Sequence, residues 1–215
     1  MFSEDYLMRI IRQATIAIAR ILGYKNAGQY EEATKEIDQT LGILLGMDSE
    51  IIRLMDDESI YLLLKNNETI DLIKLEIIAD LFKEEGDIQQ LQDHNAESKN
   101  YFTRSLNYYL LIGLDPEISR PTEIAQKIED LIIKLGSNDL EENTLWNLSS
   151  YYEKRSEFTK AEDMLSKLAA QNDSAKYIID EIKSFYNRLL EKNSDELAAG
   201  GMSRTQIQNE LRKLE

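Results

Sequence analysis

The chain has 215 residues, of which forty are acidic and twenty-five basic, a formal net charge of −15; such a surface repels phosphate backbones and anionic headgroups and argues against nucleic-acid and membrane partners. No cysteine is present, which excludes a disulfide framework, a thiolate nucleophile, an iron–sulfur cluster and a cysteine zinc site, and suits a reducing compartment. An apolar share of 42% against 30% charged is the balance of a folded globule rather than a disordered acidic tail, and only two prolines, Pro116 and Pro121, favour long helices over a turn-rich β protein.

The first helix is predicted from about Asp5 to Tyr24. Leu7, Ile11, Ala14, Ile18 and Ile21 step by three and four residues, and Tyr6, Ile10, Ala17 and Leu22 widen that seam into a face expected to be covered by protein. Gly28 closes a short connection. A second helix from Tyr30 to about Leu45 carries Tyr30, Ala33, Ile37, Leu41 and Leu44 on one stripe, completing an αα-hairpin. Asp48 or Ser49 is placed to cap a short helix through Leu54, and Asp57 another through Leu64.

Ile70, Ile73, Ile77, Leu81 and Phe82 mark one side of the next helix, which Gly86 is expected to end. Asp87 with Gln90 then reads as a capping box opening a helix that reaches Ile112. Both prolines and Gly113 fall within 113–121, a break expected to act as a hinge. Beyond it come a helix from about Thr122 to Leu135, a second capping box at Asp139 and Glu142, and helices near 142–155, 158–171 and 174–192. Gly200 and Gly201 read as a flexible joint, and Ser203 with Gln206 as a capping box for a last helix striped by Ile207, Leu211 and Leu214. That helix is short enough that it must dock on something to persist. The organisation expected is a single helical domain over 1–199 followed by a C-terminal helix over 200–215.

Two segments follow the spacing of a 34-residue helical-hairpin repeat. The C-terminal copy reads Leu145-x2-Leu148-Ser149-x2-Tyr152, then Ser156-x-Phe158-x2-Ala161-x3-Leu165, with Leu145 at the usual first Trp and Trp146 displaced by one. The earlier copy reads Ala17-x2-Arg20-Ile21-x2-Tyr24, then Gly28-x-Tyr30-x2-Ala33-x3-Ile37. A small residue, Ala33 or Ala161, is needed where two antiparallel helices come closest, and the aromatic pair fills the wedge beside their turn. A third, distorted copy is read at Ala79, Phe82, Gly86 and Ile88, continued by Ser98, Phe102, Ser105 and Leu106. Gly86 to Ser98 spans 12 positions where Gly28 to Ala33 spans 5, an apparent insertion of seven residues.

On these residues the chain resembles tetratricopeptide-type proteins over about half its length. The resemblance implies an all-α, right-handed array of helical hairpins, about 8–11 helices with degenerate repeats. The opening segment, with Tyr6, Arg12, Ala19-Arg20-Ile21-Leu22-Gly23 and Gly28-x-Tyr30-Glu31-Glu32-Ala33, also resembles an uncharacterised bacterial helical family, which supplies a fold and no activity. Tetratricopeptide-type proteins bind other proteins in a groove lined by the first helix of each hairpin. By that resemblance the groove residues are Asn143, Trp146, Ser150, Glu153 and Lys154 in the C-terminal copy, and Thr15, Ile18, Leu22, Lys25 and Asn26 in the first.

Catalytic chemistry is not indicated. His94 is the only histidine and lacks the partners of a metal site or triad. Neither a Gly-x4-Gly-Lys-Ser/Thr nor a Gly-x-Gly-x2-Gly cradle occurs. The clusters Asp56-Asp57-Glu58, Glu84-Glu85-x-Asp87 and Glu141-Glu142 lack calcium-loop spacing and are read as helix-end charges. Apolar runs fall well short of the roughly 20 residues that span a bilayer, and Glu4 and Asp5 stand where a signal peptide carries positive charge. The expectation is a cytoplasmic adaptor or scaffold that is not an enzyme and holds no cofactor. The alternative is a structural homodimer assembled through the first helix or the C-terminal stripe.

Overall fold

In a computed structural model the described residues are 4–66, 69–116, 120–136, 140–172 and 175–214. They form twelve helices in the order α1 (Glu4–Asn26), α2 (Tyr30–Leu45), α3 (Ser49–Leu54), α4 (Asp57–Leu64), α5 (Leu72–Leu91), α6 (Asn95–Leu114), α7 (Pro121–Leu135), α8 (Glu142–Lys154), α9 (Phe158–Gln171), α10 (Lys176–Leu190), α11 (Ser194–Ala199) and α12 (Arg204–Lys213). The protein is all-α apart from a two-residue antiparallel ribbon, β1 (Lys65–Asn66) with β2 (Thr69–Ile70), in which Lys65 faces Ile70. The chain divides into two compact units, 1–112 with 122–135, and 113–121 with 136–215.

Within the first unit α1 packs along α2, and both meet α5. Ala33, Ile37 and Leu41 are fully buried along one stripe of α2, and Ala14, Ala17 and Ile21 face them from α1. The wider face expected for α1 is not covered: Ile11 and Leu22 are exposed, together with Met8 and Ile16. The side chains of Tyr6 and Leu7 lie outside the described residues. α5 and α6 have no single buried stripe, because neighbours enclose them on most sides; α6 buries Phe102, Leu106, Tyr108, Tyr109 and Leu110 as well as Ser98, Thr103, Arg104 and Ser105.

The middle of the chain corrects the sequence reading. α5 continues through Gly86 to Leu91, so Gly86 is not a helix stop, and Asp87 with Gln90 is not a capping box. Gly86 is there for closeness: a β-carbon at this position would lie 2.6 Å from the Phe102 ring. Ser98 Oγ donates to the Gly86 carbonyl at 2.9 Å and Ser105 Oγ to that of Ala79 at 2.8 Å, so small hydroxylated residues draw α6 onto α5. The α5–α6 turn lies at Asp93, in the left-handed region at φ 64°.

Three turns then coincide bond for bond. Gln29 N donates to Tyr24 O, His94 N to Gln89 O and Glu157 N to Tyr152 O, each at 2.9 Å. Left-handed residues Gly28, Asp93 and Ser156 (φ 71°, 64° and 59°) stand one position earlier. Four residues into each second helix come Ala33, Ser98 and Ala161, all buried. The separation from Asp93 to Ser98 equals that from Gly28 to Ala33, so the apparent insertion is absent: it came from taking Gly86 for the turn.

Other boundaries follow local chemistry. Asp48 caps α3 as expected, but α4 is capped by Asp56 through Ser59 N at 2.7 Å, which frees Asp57 to accept from Arg104 and Tyr108. Pro121 opens α7, where its missing N–H costs nothing. Asp139 and Ser174, expected at helix starts, lie outside the described residues.

In the second unit α8 packs along α9, α9 on α10, and α10 on α12. Ala161 and Phe158 are fully buried. α11, opened by an Asn193–Glu196 capping box, was not anticipated, whereas the Ser203–Gln206 box opens α12 as read. Gly200 and Gly201 are packed rather than a free joint: a β-carbon on Gly200 would lie 2.1 Å from Phe158, and the Gly200 carbonyl accepts from Thr159 N. α12 buries Ile207 and belongs to this unit, with Leu211 and Leu214 partly exposed.

Candidate protein-interaction surface

The groove residues expected on α8 divide into two kinds. Asn143 and Ser150 are exposed on α8, and Trp146 is half-buried between them. The Trp146 ring stacks on Tyr177 of α10, with centroids 6.5 Å apart and planes at 29°. Tyr177 is 53% exposed, and its hydroxyl donates to Glu142 at 2.9 Å, a bond that also holds the phenol's pKa above its ordinary value. One ring thus shields the other from one side while both keep solvent-facing surface.

Further along the same two helices, Glu153 accepts both arms of the Arg188 guanidinium at 2.8 Å, and Arg188 also reaches Glu181 at 2.8 Å. The hydrogen bond to Glu153 is the chief reason the guanidinium is held more firmly charged than usual. The two-pronged geometry fixes α8 against α10 more rigidly than a lysine would. Lys154 serves the fold: its ammonium donates to the carbonyls of Gly113, Leu114 and Asp115 at 3.4, 2.7 and 2.9 Å, satisfying acceptors that the end of α6 leaves open.

Tyr177, Glu181 and Arg188 were missed by the sequence reading. A usable signal was present: Tyr177, Glu181, Ser184 and Arg188 recur at steps of four, three and four along α10, on a stripe about 100° round from its apolar stripe of Ile178, Ile182, Phe185 and Leu189.

In the first copy, Thr15, Leu22 and Asn26 are exposed and Ile18 is half-buried, whereas Lys25 is engaged. Its ammonium bonds Glu84 and, at 2.9 Å, Asp87 of α5. Lys83 and Lys134 also donate to Asp87, at 2.9 and 2.8 Å. Burial would raise the Asp87 carboxyl, but bonds from Lys134, Lys25 and Lys83 pull it down to about 2. The acidic run of α5 is therefore an internal ion lattice. Neighbouring members are Arg53 with Glu85 and Asp38, and Lys127 with Glu76 and Asp80. Among the described residues no group of three or more histidine, cysteine or acidic side chains is arranged to hold a metal ion. A cleft of about 300 Å³ between α1, α2 and α5 has Arg9 as its one charged lining residue.

None of the described helices is long and apolar enough to cross a membrane. The family model described as "Family of unknown function (DUF6483)" matches residues 1–215. The chain belongs to this family. No curated protein and no solved structure matches it. Membership in DUF6483 therefore brings no activity with it, and the α8–α10 surface has to be interpreted on its own chemistry.

Proposed function

We propose that the chain is a cytoplasmic protein-interaction adaptor rather than an enzyme, and that it binds a peptide segment of another protein across α8 and α10. The observation that carries this reading is the Trp146–Tyr177 stack, two large amphipathic rings on adjacent helices with Tyr177 half in solvent. Aromatic anchors of this kind dominate binding energy when a partner completes their burial. Asn143 and Ser150 flank the rings with adaptable hydrogen-bonding groups, and the Glu153–Arg188 pair holds the two helices in register beneath them.

The shared bonding of the turns at Gly28, Asp93 and Ser156 supports the wider reading of a degenerate, tetratricopeptide-like array of right-handed hairpins. In such an array the first helices of successive hairpins line the binding face, and α8 is one of them.

Affinity capture from a cell lysate, comparing the wild type with Trp146→Ala and Tyr177→Ala, tests the reading. Loss of one hot-spot ring weakens a partner about thirty-fold or more, a cost of at least ~2 kcal/mol. Specific partners should vanish from both variants while each retains its helical content and melts cooperatively. Identical captured sets from all three proteins would refute the assignment.

A further inference from the structure

Tyr108 and Tyr109 of α6 each donate to a carboxylate, and a cation completes each group. Tyr109 donates to Asp80, while Lys127 bonds the same carboxylate at 2.9 Å and holds its ammonium 5.0 Å from the centre of the Tyr109 ring. Tyr108 donates to Asp57 at 2.8 Å. Arg104 bonds Asp57 at 2.8 Å and lies 4.4 Å from the centre of the Phe82 ring, which packs against Tyr108. Ring face and carboxylate both attract the positive charge, so the three members satisfy one another.

On the α8–α10 surface the first two members stand without the third. Tyr177 donates to Glu142 at 2.9 Å, and its ring stacks on Trp146. Among the described residues no cation bonds Glu142 and none lies over either ring. The other end of the same face carries the missing member. Glu153 and Arg188 are 35 residues apart, as are Glu142 and Tyr177, so α8 and α10 run parallel in one register. At one end the carboxylate meets a guanidinium, and at the other it meets a neutral phenol. Tyr186 also donates to a carboxylate, Glu162, without a cation, but Tyr186 is 4% exposed and offers no open ring face. Tyr177 and the neighbouring Asn143 are exposed.

We propose that the missing cation is an arginine of the bound peptide, so that the α8–α10 surface selects basic segments; this rests on the peptide-binding reading above and names its partner's chemistry. A guanidinium is planar, so it stacks on an indole or phenol while its fork bonds a carboxylate, which a point-charge ammonium cannot do as well. Glu142 has room for it, because a carboxylate offers about four acceptor sites and Tyr177 takes one. Charge agrees. Glu142, Glu153 and Glu181 outnumber Arg188 on this face, and the ammonium of Lys154 is turned to the carbonyls of Gly113, Leu114 and Asp115. At a net charge of −15 the whole chain also draws a basic segment in and turns an acidic one away.

The test selects binders of the full chain from a random dodecapeptide display library, with Trp146→Ala as the counter-target. About 0.15 M salt screens attraction by net charge at long range. Peptides held by the wild type and lost on Trp146→Ala should share an arginine at one position. Trp146 is the only tryptophan, so adding the synthetic peptide should shift the protein's indole emission. Replacing that arginine by citrulline, its uncharged isostere, should weaken binding about ten-fold or more, as should Glu142→Gln, since each removes a charge from one charge-assisted bond. The two changes together should cost little more than either alone. Gln can still accept from Tyr177, so Glu142→Gln should keep its circular dichroism and melting. Selected peptides without a basic residue overturn the inference, as does strict additivity of the two changes. Basic peptides held equally by Trp146→Ala report net charge alone and overturn it too, and so does a library with no binder that depends on Trp146. Lysate capture by the ring variants judges the surface itself: identical captured sets sink the peptide-binding reading, whereas ring-dependent partners alongside selected peptides that lack arginine sink this inference alone.

Discussion

Glu85, 1% exposed on its side chain, accepts the Arg53 guanidinium at 3.1 Å from a different helix. Arg53 also bonds Asp38, donates to the Tyr101 hydroxyl, and lies over the Tyr101 ring at 5.6 Å. Burial alone would lower the guanidinium's pKa, but Glu85 first, then Tyr101 and Asp38, hold it above its ordinary value. This pair ties α3 to α5 inside the first unit.

Arg53→Ala should therefore be costly out of proportion to its side-chain volume. It leaves Glu85 buried with only Gln89 donating to it, at 2.9 Å. Removing one partner of a buried ion pair costs about 3–5 kcal/mol. Urea unfolding should show that loss for Arg53→Ala, and the double variant Arg53→Met with Glu85→Leu should recover most of it. A loss under about 1 kcal/mol for the single variant, the range of exposed ion pairs, would mean that water reaches Glu85 and the burial argument fails.

Gly86→Ala is predicted to destabilise although alanine is the better helix former by about 1 kcal/mol. The new methyl would lie 2.6 Å from the Phe102 ring, and overpacking of a tight core costs about 1–3 kcal/mol. Pairing it with Phe102→Leu makes room, so the double variant should be more stable than the sum of the two single changes predicts. Calorimetric melts of the four proteins supply the cycle, and strict additivity would remove the steric explanation.

The three matched turns make opposite forecasts for removing and for introducing a glycine. Gly28→Ala places a β-carbon in the left-handed region and should destabilise by about 1 kcal/mol. Asp93 and Ser156 already bear that strain, so Asp93→Gly and Ser156→Gly should each stabilise, by about 0.5–1 kcal/mol net of the freedom that glycine adds to the unfolded chain. Equilibrium denaturation of the three variants decides it; stabilisation by Gly28→Ala would contradict the geometry.

Asp87 sets a pH dependence. Its folded pKa is depressed, to about 2 from an ordinary 3.8, so its contribution is fully present above pH 4 and is lost as pH falls through about 2. A shift of this size corresponds to about 2 kcal/mol. Asp87→Asn should be less stable than wild type at pH 7, where three lysines lose their shared carboxylate, and close to wild type at pH 2, where about half of the Asp87 carboxyls are already protonated. Parallel stability curves for the two proteins between pH 4 and 2 would remove Asp87 from the acid response.

The terminal hairpins were legible in the sequence because Gly28 and Ala33, and Phe158 and Ala161, belong to residue types whose shapes dictate the turn and the close approach. The central hairpin was not, for two physical reasons. Asp93 takes the left-handed conformation that usually calls for glycine, while Gly86, the glycine nearby, is used for closeness to Phe102. Glu84, Glu85 and Arg104 look like surface residues in a list and become interior ones only when Lys25, Arg53 and Asp57 arrive from elsewhere in the chain. Of the candidate surface, Trp146 was found on repeat spacing. Tyr177 came from a helix that the pattern did not cover. Lys25 and Lys154 were placed in a groove by their positions, yet their ammonium groups are taken up by carboxylates and carbonyls.

Because α7 returns to the first unit after the 113–121 segment, that unit is not contiguous in sequence. Lys127 and Lys134, which bond Asp80 and Asp87, are carried by α7, the last part of this unit to be synthesised. During translation, residues 4–112 therefore hold this acidic seam with Lys25, Lys83 and Arg53 alone, and lack the two lysines of α7, until residue 135 has left the ribosome. A proteolytic fragment ending at the proline-rich stretch should persist only as an incompletely folded species, so the apparent linker is a poor place to divide the gene.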